Sequence, residues 1–254
     1  MAQSLLDRWL MELGIEQNAL TMHALERQQD VIAHNLANTT TAGFQERIPG
    51  FTGKKNGIVE FEKLQPFASL TPQLRLNSNE NIGTIEHTQV PTDVALNGKG
   101  FFKVQSPDGQ KVSFTRNGAF RFNSEGYLCD PQGRIVLGNS GSIQAGNNGD
   151  PIYINSDGQV FEGDQQIGSL VAFTLPDAMK VNPGAEYNPN ELAGVQEAEN
   201  VKFESGCLEH SNVSSVREMV QMIQVSNAHE ANRIAIRQWD QELGEAIDVL
   251  GNIG

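Results

Sequence analysis

The sequence has little positive charge. Its 254 residues include 18 Lys and Arg against 31 Asp and Glu, which gives a formal net charge of −13. A surface of this sign repels the phosphates of nucleic acids and of anionic lipids, and no basic cluster along the chain offsets it. We therefore predict that the protein has no nucleic-acid partner.

Long hydrophobic runs are also missing. No stretch approaches the roughly 18 consecutive apolar residues that a membrane-spanning helix needs, so membrane insertion is not expected. The N-terminus lacks the basic start of a secretory signal, and Asp7, Arg8 and Glu12 interrupt any apolar core there. The sequence thus predicts a chain without a cleaved signal peptide.

Motifs for catalysis or metal binding are scarce as well. Cys129 and Cys207 are the only cysteines, and two buried thiols are favoured over a disulfide bridge. None of the histidines has metal-ligand spacing, and no GxSxG or paired-carboxylate motif is present. Asn155–Gly158 lacks the alternating carboxylates of a calcium loop, and Gly98–Gly100 is not followed by the helix of a phosphate loop, so both predict turns. We predict no enzymatic activity, no cofactor and no metal.

What the sequence does contain is an amphipathic helix pattern at each end. Within residues 15–38, a heptad-like apolar stripe is formed by Ile15, Met22, Leu25, Ile32 and Leu36. Asn38 is a candidate end for this helix. After it, Gly43 can take a positive φ at low cost, and Phe44 can anchor the chain on apolar surface.

Residues 213–253 predict a longer helix with two apolar lines. The main line is Met222, Val225, His229, Asn232, Ile236, Trp239, Leu243, Ala246, Leu250 and Ile253. Val216, Val220 and Ile223 form a second, offset line, which favours a second partner for this helix. The alternative, a monomeric helical hairpin, needs only one line per helix. At the start, Ser215–Glu218 fits a capping box, and Asn212 is an alternative N-cap.

Between the helices, turn residues punctuate a strand pattern. Residues 45–91 carry four prolines and predict an extended connector, and residues 177–195 predict a long surface loop. Asp108-Gly109 and Asp157-Gly158 are hairpin dipeptides. The fold class predicted is α+β, with terminal helices (1–44 together with 211–254) forming a coiled-coil pair. The strand pattern predicts a central antiparallel β sandwich or barrel-like domain over residues 92–210.

Three motifs in this order resemble the flagellar basal-body rod and hook proteins of bacteria. The first helix ends in Asn35-Leu36-Ala37-Asn38 and is followed by Thr41-Ala42-Gly43-Phe44. The central segment has Asp93-Val94-Ala95-Leu96 and Thr115-Arg116-Asn117-Gly118-Ala119-Phe120. The third motif is Leu208-Glu209-His210-Ser211-Asn212-Val213, ahead of the last helix. The chain departs from the family at Thr39-Thr40-Thr41-Ala42, where an Asn/Thr-Pro-Gly run is common, and at His229, where Tyr is common.

The resemblance implies a rod subunit in the periplasmic part of the basal body, exported by the flagellar secretion apparatus. It would polymerise helically with itself and with other rod and hook subunits and transmit torque. The predicted assembly interface comprises Ile15, Met22, Leu25, Ile32, Asn35, Leu36, Asn38, Gly43, Phe44, Ser211, Asn212, Val213, Val216, Val220, Ile223, Asn232, Ile236, Trp239, Leu243 and Leu250. The alternatives are a hook or hook-associated axial subunit, a β-rich cell-wall carbohydrate-binding module and a cell-wall hydrolase.

Overall fold

The computed structural model describes residues 2–52, 73–146, 150–198 and 201–251. Its side chains are described over residues 18–50, 76–146, 150–198 and 201–242, and at Gly244. The chain divides into two compact units. The helical unit comprises Met1–Leu36, Pro49–Leu76 and Ser215–Gly254, and the β unit comprises Ala37–Ile48 and Asn77–Ser214.

Two long helices dominate the helical unit. Helix α1 spans Ala2–Ala37 and helix α3 spans Ser215–Gly251. Both terminal helices were predicted, but α1 begins at Ala2 instead of residue 15. The segment before residue 15 is rich in Leu and Met, which favour helix, and the single Gly14 costs only about 1 kcal/mol in a helix interior. Among the described residues, no helix is long and apolar enough to cross a membrane.

Short antiparallel strands build most of the β unit. Two further strands, β1 (Arg47–Thr52) and β2 (Gln73–Ser78), lie mostly in the helical unit. The strands of the β unit are β3 (Ile85–His87), β4 (Val94–Asn97), β5 (Phe101–Gln105), β6 (Val112–Thr115), β7 (Arg121–Phe122), β8 (Leu128–Cys129), β9 (Ile135–Gly138), β10 (Gly141–Ser142), β11 (Ile152–Ile154), β12 (Gln159–Glu162), β13 (Gln165–Ser169), β14 (Ala172–Thr174), β15 (Gln196–Glu197), β16 (Lys202–Ser205) and β17 (Cys207–Glu209).

The largest sheet has the order β15-β14-β5-β9-β8-β7, with β6 on β5 and β10 on β9. A separate three-stranded sheet has the order β11-β12-β13, and β16-β4 and β17-β3 form two-stranded sheets. The mixed architecture with many antiparallel strands was predicted. The described strands do not close into a barrel, so the barrel-like alternative is not found in this part of the chain.

The predicted hairpin turns are confirmed. Gly109 donates its N–H to the carbonyl of Ser106 at 2.8 Å, between the paired strands β5 and β6. Gly158 donates likewise to Asn155 at 3.0 Å, between β11 and β12. Gly109 has φ +73° and Gly158 has φ +79°. A residue with a side chain would be strained in this backbone conformation. The glycine in each dipeptide is therefore required by the turn.

Strand β5 is buried on both faces. Phe102 and Val104 point into the larger core, where Phe102 meets Phe120 edge to face with ring centroids 4.9 Å apart. Phe101 points the other way, into a second cluster with Phe114 and Met179. Neighbouring residues of a strand face opposite sides, so the Phe101-Phe102 pair joins two cores.

Two segments are more ordered than predicted. Residues 177–195 contain helix α2 (Asp177–Lys180) and a 3₁₀ turn (Pro189–Glu191), so the predicted surface loop is wrong at these two short stretches. Met179 is buried there because its apolar side chain completes the second core. In the predicted connector, β1 pairs with β2, and β3 pairs with β17 of the β unit. Residues 53–72 of that connector lie outside the described residues, and the predicted domain boundaries stay a prediction.

Both cysteines are free and buried, as favoured from the sequence. Burial raises the pKa of each thiol, so the reactive thiolate is disfavoured at both positions. Sγ of Cys207 lies 3.0 Å from Nδ1 of His87 on the neighbouring strand β3. These thiols fill space in the β unit.

Candidate functional site

In the helical unit, one polar pair joins the two helices. Asn35 of α1 donates from Nδ2 to the carboxylate of Glu218 in α3 at 3.2 Å. Both residues are almost fully buried, with 2% and 1% of their surface exposed. Because each side chain would be costly to bury alone, this pair favours one relative register of the two helices.

Apolar side chains accompany that pair on the same faces. Ile32 lies nearly one turn before Asn35, and Val225 lies two turns after Glu218; both are buried. Farther along, Nε2 of His229 is 3.8 Å from the carboxylate of Glu26. Contacts that move backward along α1 thus move forward along α3, which is the order of an antiparallel pair.

The opposite face of α3 carries a row of exposed apolar side chains, which we call the outer row. Its members are Val216, Met219, Val220 and Ile223, with exposed fractions of 71%, 51%, 48% and 61%. Their spacing of three and four residues places them on one face of the helix, roughly opposite the buried Val225. Nothing within the described chain covers this row.

The remaining predicted helix residues fall into two groups. Those with partly buried side chains are Met22, Leu25, Leu36, Asn232, Ile236 and Trp239. Asn232 donates to the backbone carbonyl of Ala228 within its own helix at 3.0 Å. The side chains of Ile15, Leu243 and Leu250 lie outside the described part of the structure. The part that all of these residues play in assembly stays a prediction.

In the β unit, the motif residues meet in what we call the polar junction, formed by Gly43, Glu46, Arg116, Glu209 and Asn212. Nε of Arg116 donates to the Glu209 carboxylate at 2.5 Å, and both side chains are almost completely buried. The same guanidinium donates to the carbonyls of Gly100 at 2.9 Å and Gly98 at 2.8 Å. Arg116 therefore holds the Gly98–Gly100 turn against strand β17, which precedes helix α3.

Gly43 lies directly against the backbones of Arg116 and Glu209. Its N–H donates to the backbone carbonyl of Glu209 at 2.7 Å, and its φ is +67°. A Cβ at this position would lie 2.4 Å from the carbonyl carbon of Arg116, which is shorter than any real contact. The positive φ was anticipated from the sequence, whereas the close approach was not. Only glycine fits here without moving the backbone.

Asn212 connects three chain segments. Its Oδ1 accepts from the N–H of Glu46 at 2.7 Å, and its Nδ2 donates to the carbonyls of Asn79 at 2.9 Å and Asn81 at 2.7 Å. The backbone N–H of Asn212 also donates to the carbonyl of Phe44 at 3.3 Å. Asn212 was a candidate N-cap, but helix α3 begins at Ser215 and these bonds engage both ends of the Asn212 amide.

The other predicted residues near the junction have local roles. Asn38 follows the last residue of α1, and its carbonyl accepts from the N–H of Thr41 at 3.1 Å. Phe44 and Ser211 are partly buried, and Ser211 Oγ accepts from the N–H of Val213 at 3.3 Å. These bonds shape the two turns that lead out of α1 and into α3.

Sequence reasoning missed the charged members of these sites. Arg116, Glu209 and Glu218 occur in the quoted motifs but were not assigned to the interface, and Met219 of the outer row was also omitted. A signal existed for Glu209: in strand β17 it lies two positions after the buried Cys207 and so faces the same side. A charged residue at an inward position indicates a buried partner.

The arrangement is suited to holding chain segments and not to chemistry on a substrate. The polar groups of the junction bind one another, and the carboxylate of Glu209 also accepts from the N–H of Gly83 at 3.0 Å. Nearby, Glu80 lies between Lys180 at 2.6 Å and Lys99 at 3.1 Å. The hydrogen bond from Lys180 is the main cause that lowers the pKa of Glu80. Within the described residues, no group of three metal-binding side chains comes together.

Comparison with known proteins gives a consistent result across most of the chain. Residues 95–162 match the flagellar hook protein FlgE/F/G D1 domain, and residues 204–249 match the C-terminal domain of flagellar basal body rod FlgEFG proteins. The chain is 30% identical over 239 residues to the flagellar basal-body rod protein FlgF of Mesorhizobium japonicum, covering 90% of this chain and 94% of that one. It is 31% identical over 249 residues to FlgG of Borreliella burgdorferi, covering 89% and 94%. It is 28% identical to FlgF of Caulobacter vibrioides, covering 90% and 94%. The chain therefore belongs to the flagellar basal-body rod protein family.

Proposed function

We propose that this chain is a structural subunit of the flagellar basal-body rod, which polymerises through its terminal helices into the axial shaft that transmits torque. The observation that carries the proposal is the outer row of α3. Four apolar side chains on one helix face stay exposed in the single chain, and such a contiguous face marks a protein–protein contact. Its occupant in this proposal is a helix of a neighbouring rod or hook subunit.

The two faces of α3 then have different partners. The face with Glu218 and Val225 packs on α1 of the same chain, as a coiled-coil pair, while the outer row packs on another subunit. The remaining predicted interface residues of the two helices extend these two faces. Burial of the outer row adds roughly 25 cal/mol per Å² of apolar area, before the cost of ordering the partners.

Other parts of the proposal follow from family membership. The subunit resides in the basal body, in its periplasmic section, and reaches it through the flagellar export apparatus without a cleaved signal peptide. Residues 1–44 and 211–254 form the helical assembly domain, and residues 92–210 form a β sandwich. The named relatives are rod proteins, which supports a rod subunit over the hook alternative and over a carbohydrate-binding module or hydrolase. A structural rod protein needs no cofactor and has no catalytic residue.

The test is a charge placed in the outer row. Ile223→Asp puts a carboxylate where the proposal requires an apolar contact, so rod assembly should fail, while the free subunit stays as stable as the wild type because the site is exposed. Gln224→Asp is the matched control, since Gln224 is the next residue and is also exposed, but it is polar and lies at the edge of the row. Electron microscopy of isolated basal bodies and immunoblots of exported protein separate failed assembly from failed export.

Complete, functional rods with Ile223→Asp would contradict the proposed interface. Loss of rods with both variants would show a general intolerance of added charge on α3, and the outer row would then have no special role.

A further inference from the structure

We infer that the polar junction is a mechanical joint: it ties together the chain segments that lead from the β unit to the helical unit, so that load is shared among them. This inference rests on the proposed function, since a joint of this kind matters only in a subunit that transmits torque. It assigns a role to Asn212, Glu209 and Arg116 that differs from the subunit contacts proposed above.

The chain passes between the two units four times, after Leu36, Ile48, Leu76 and Ser214. In the β unit, three segments adjoin these points, which we call the entry segment (37–48), the return segment (77–84) and the exit segment (209–214). A pull on the helical unit reaches the β unit through these segments, because they are its covalent connections. If they were independent, each would be loaded separately and could peel from the β unit by itself.

Hydrogen bonds join every pair of these segments. Entry and exit segments meet where Glu46 N–H donates to Asn212 Oδ1 at 2.7 Å. Entry and return segments meet at Asn79, whose N–H and Nδ2 both donate to Glu46 at 2.8 Å. Exit and return segments meet where Asn212 Nδ2 donates to the carbonyls of Asn79 and Asn81. The three segments thus form a closed triangle of bonds with Asn212 at two of its sides.

The triangle is anchored in the core through Glu209. Its backbone carbonyl holds Gly43 of the entry segment, and its carboxylate holds the N–H of Gly83 in the return segment. The same carboxylate binds Arg116, whose guanidinium reaches the carbonyls of Leu96 and Gly100 at the ends of β4 and β5. Strand β5 lies inside the largest sheet. A pull on any segment is therefore passed to the middle of that sheet.

Bonds of this kind contribute little singly but act together when they share buried partners. Peeling one segment would break hydrogen bonds of the partly buried Asn212 amide and of the buried Glu46 and Glu209 carboxylates, which is costly. The joint therefore resists separation of one segment more strongly than isolated turns would.

The experiment compares Asn212→Ala with Asn155→Ala in cells that assemble the full protein. Asn155 is a matched control because its side chain also makes three hydrogen bonds in the β unit, at 2.8, 3.0 and 2.9 Å, but all within its own turn. Basal bodies are counted by electron microscopy. Rotation of beads attached to the flagellum is then recorded under increasing viscous load.

With Asn212→Ala, we expect rods to form and rotation to be normal at low load but to stop at a lower load than in the wild type. Asn155→Ala should keep the wild-type load dependence, even if the two purified variants are equally destabilised against heat. The same load dependence for both variants would overturn the inference, because loss of stability alone would then explain the result.

If Asn212→Ala forms no rods, Ser78→Ala is measured instead. It removes only the bond of 3.1 Å from Ser78 Oγ to Gln45 Oε1, which links the return and entry segments, and the same drop in stalling load is expected. Wild-type load dependence with Ser78→Ala would then overturn the joint. Normal rotation after deletion of the whole gene would instead defeat the proposed function.

Discussion

Arg116 and Glu209, 93 positions apart in the sequence, form an ion pair in which the exposed fractions of the two side chains are only 1% and 2%. The pair joins the turn after β6 to the end of β17, and so connects two of the three motifs that resemble rod proteins. Buried charges of this kind persist only when each is paired and hydrogen-bonded. Here the carbonyls of Leu96, Gly98 and Gly100 accept from three of the four remaining N–H donors of the guanidinium.

Removing one partner of this pair should destabilise the protein strongly. Glu209→Ala leaves a buried guanidinium without its counter-ion, and we expect the free energy of unfolding to fall by about 3–5 kcal/mol. Urea denaturation followed by circular dichroism measures this. Glu186→Ala is the control, because it breaks the exposed pair with Lys111 and should leave the unfolding curve unchanged. Equal curves for the two variants would show that the buried pair contributes nothing.

Replacing Gly43 tests the close approach of the first motif to the ion pair. Gly43→Ala and Gly109→Ala both place a side chain at positive φ, +67° and +73°. The new Cβ would lie 2.4 Å from the backbone of Arg116 in the first variant but 3.8 Å from Gln105 in the second. Gly109→Ala should therefore cost roughly 1 kcal/mol for the conformation alone, and Gly43→Ala distinctly more. Thermal denaturation of both variants measures this difference in stability. Equal melting temperatures would contradict the crowding at Gly43.

A fragment of residues 77–214 should fold better than one of residues 90–205. The strand pattern predicts a self-contained central domain, but the shorter fragment lacks β3, β17 and Glu209 and so leaves Arg116 unpaired in the interior. We expect a cooperative thermal transition for residues 77–214 and a broad one or none for residues 90–205. Circular dichroism on both purified fragments checks this. A transition at the same temperature for both would mean that β17 and Glu209 do not stabilise the β unit.

The ion cluster around Glu80 should make stability depend on acid pH. The hydrogen bond from Lys180 lowers the pKa of Glu80 below its ordinary value of 4.5. A carboxylate with a lowered pKa stabilises the folded state above its ordinary pKa, and this contribution is lost as the pH falls through the lowered value. The wild type should thus be slightly more stable than Glu80→Gln at neutral pH, and the difference should shrink as the pH falls below 4.5 and vanish only below the lowered pKa of Glu80. A difference that stays constant with pH would rule out this linkage.

The order of elements and several turns could be predicted from the sequence because their causes are local. Apolar periodicity predicted the two terminal helices, and Asp-Gly dipeptides predicted the hairpins at Gly109 and Gly158, where backbone geometry depends on the residues present. The start of α1 was placed too late, at residue 15, because the apolar stripe was followed only from Ile15, although the Leu- and Met-rich segment before it also favours helix. The short helix at Asp177–Lys180 was missed because its burial depends on Phe101 and Phe114, which are distant in sequence.

By itself, the sequence determined that the protein has helical ends, a strand-rich centre, a strongly acidic surface and the motifs of the rod family. Only the tertiary structure decided which motif residues meet. Arg116 with Glu209, Asn35 with Glu218, and Asn212 with Asn79 are pairs whose members lie 93, 183 and 133 positions apart. No local periodicity encodes such pairings, because they follow from the packing of sheets and helices that bury a polar group only where another completes its hydrogen bonds.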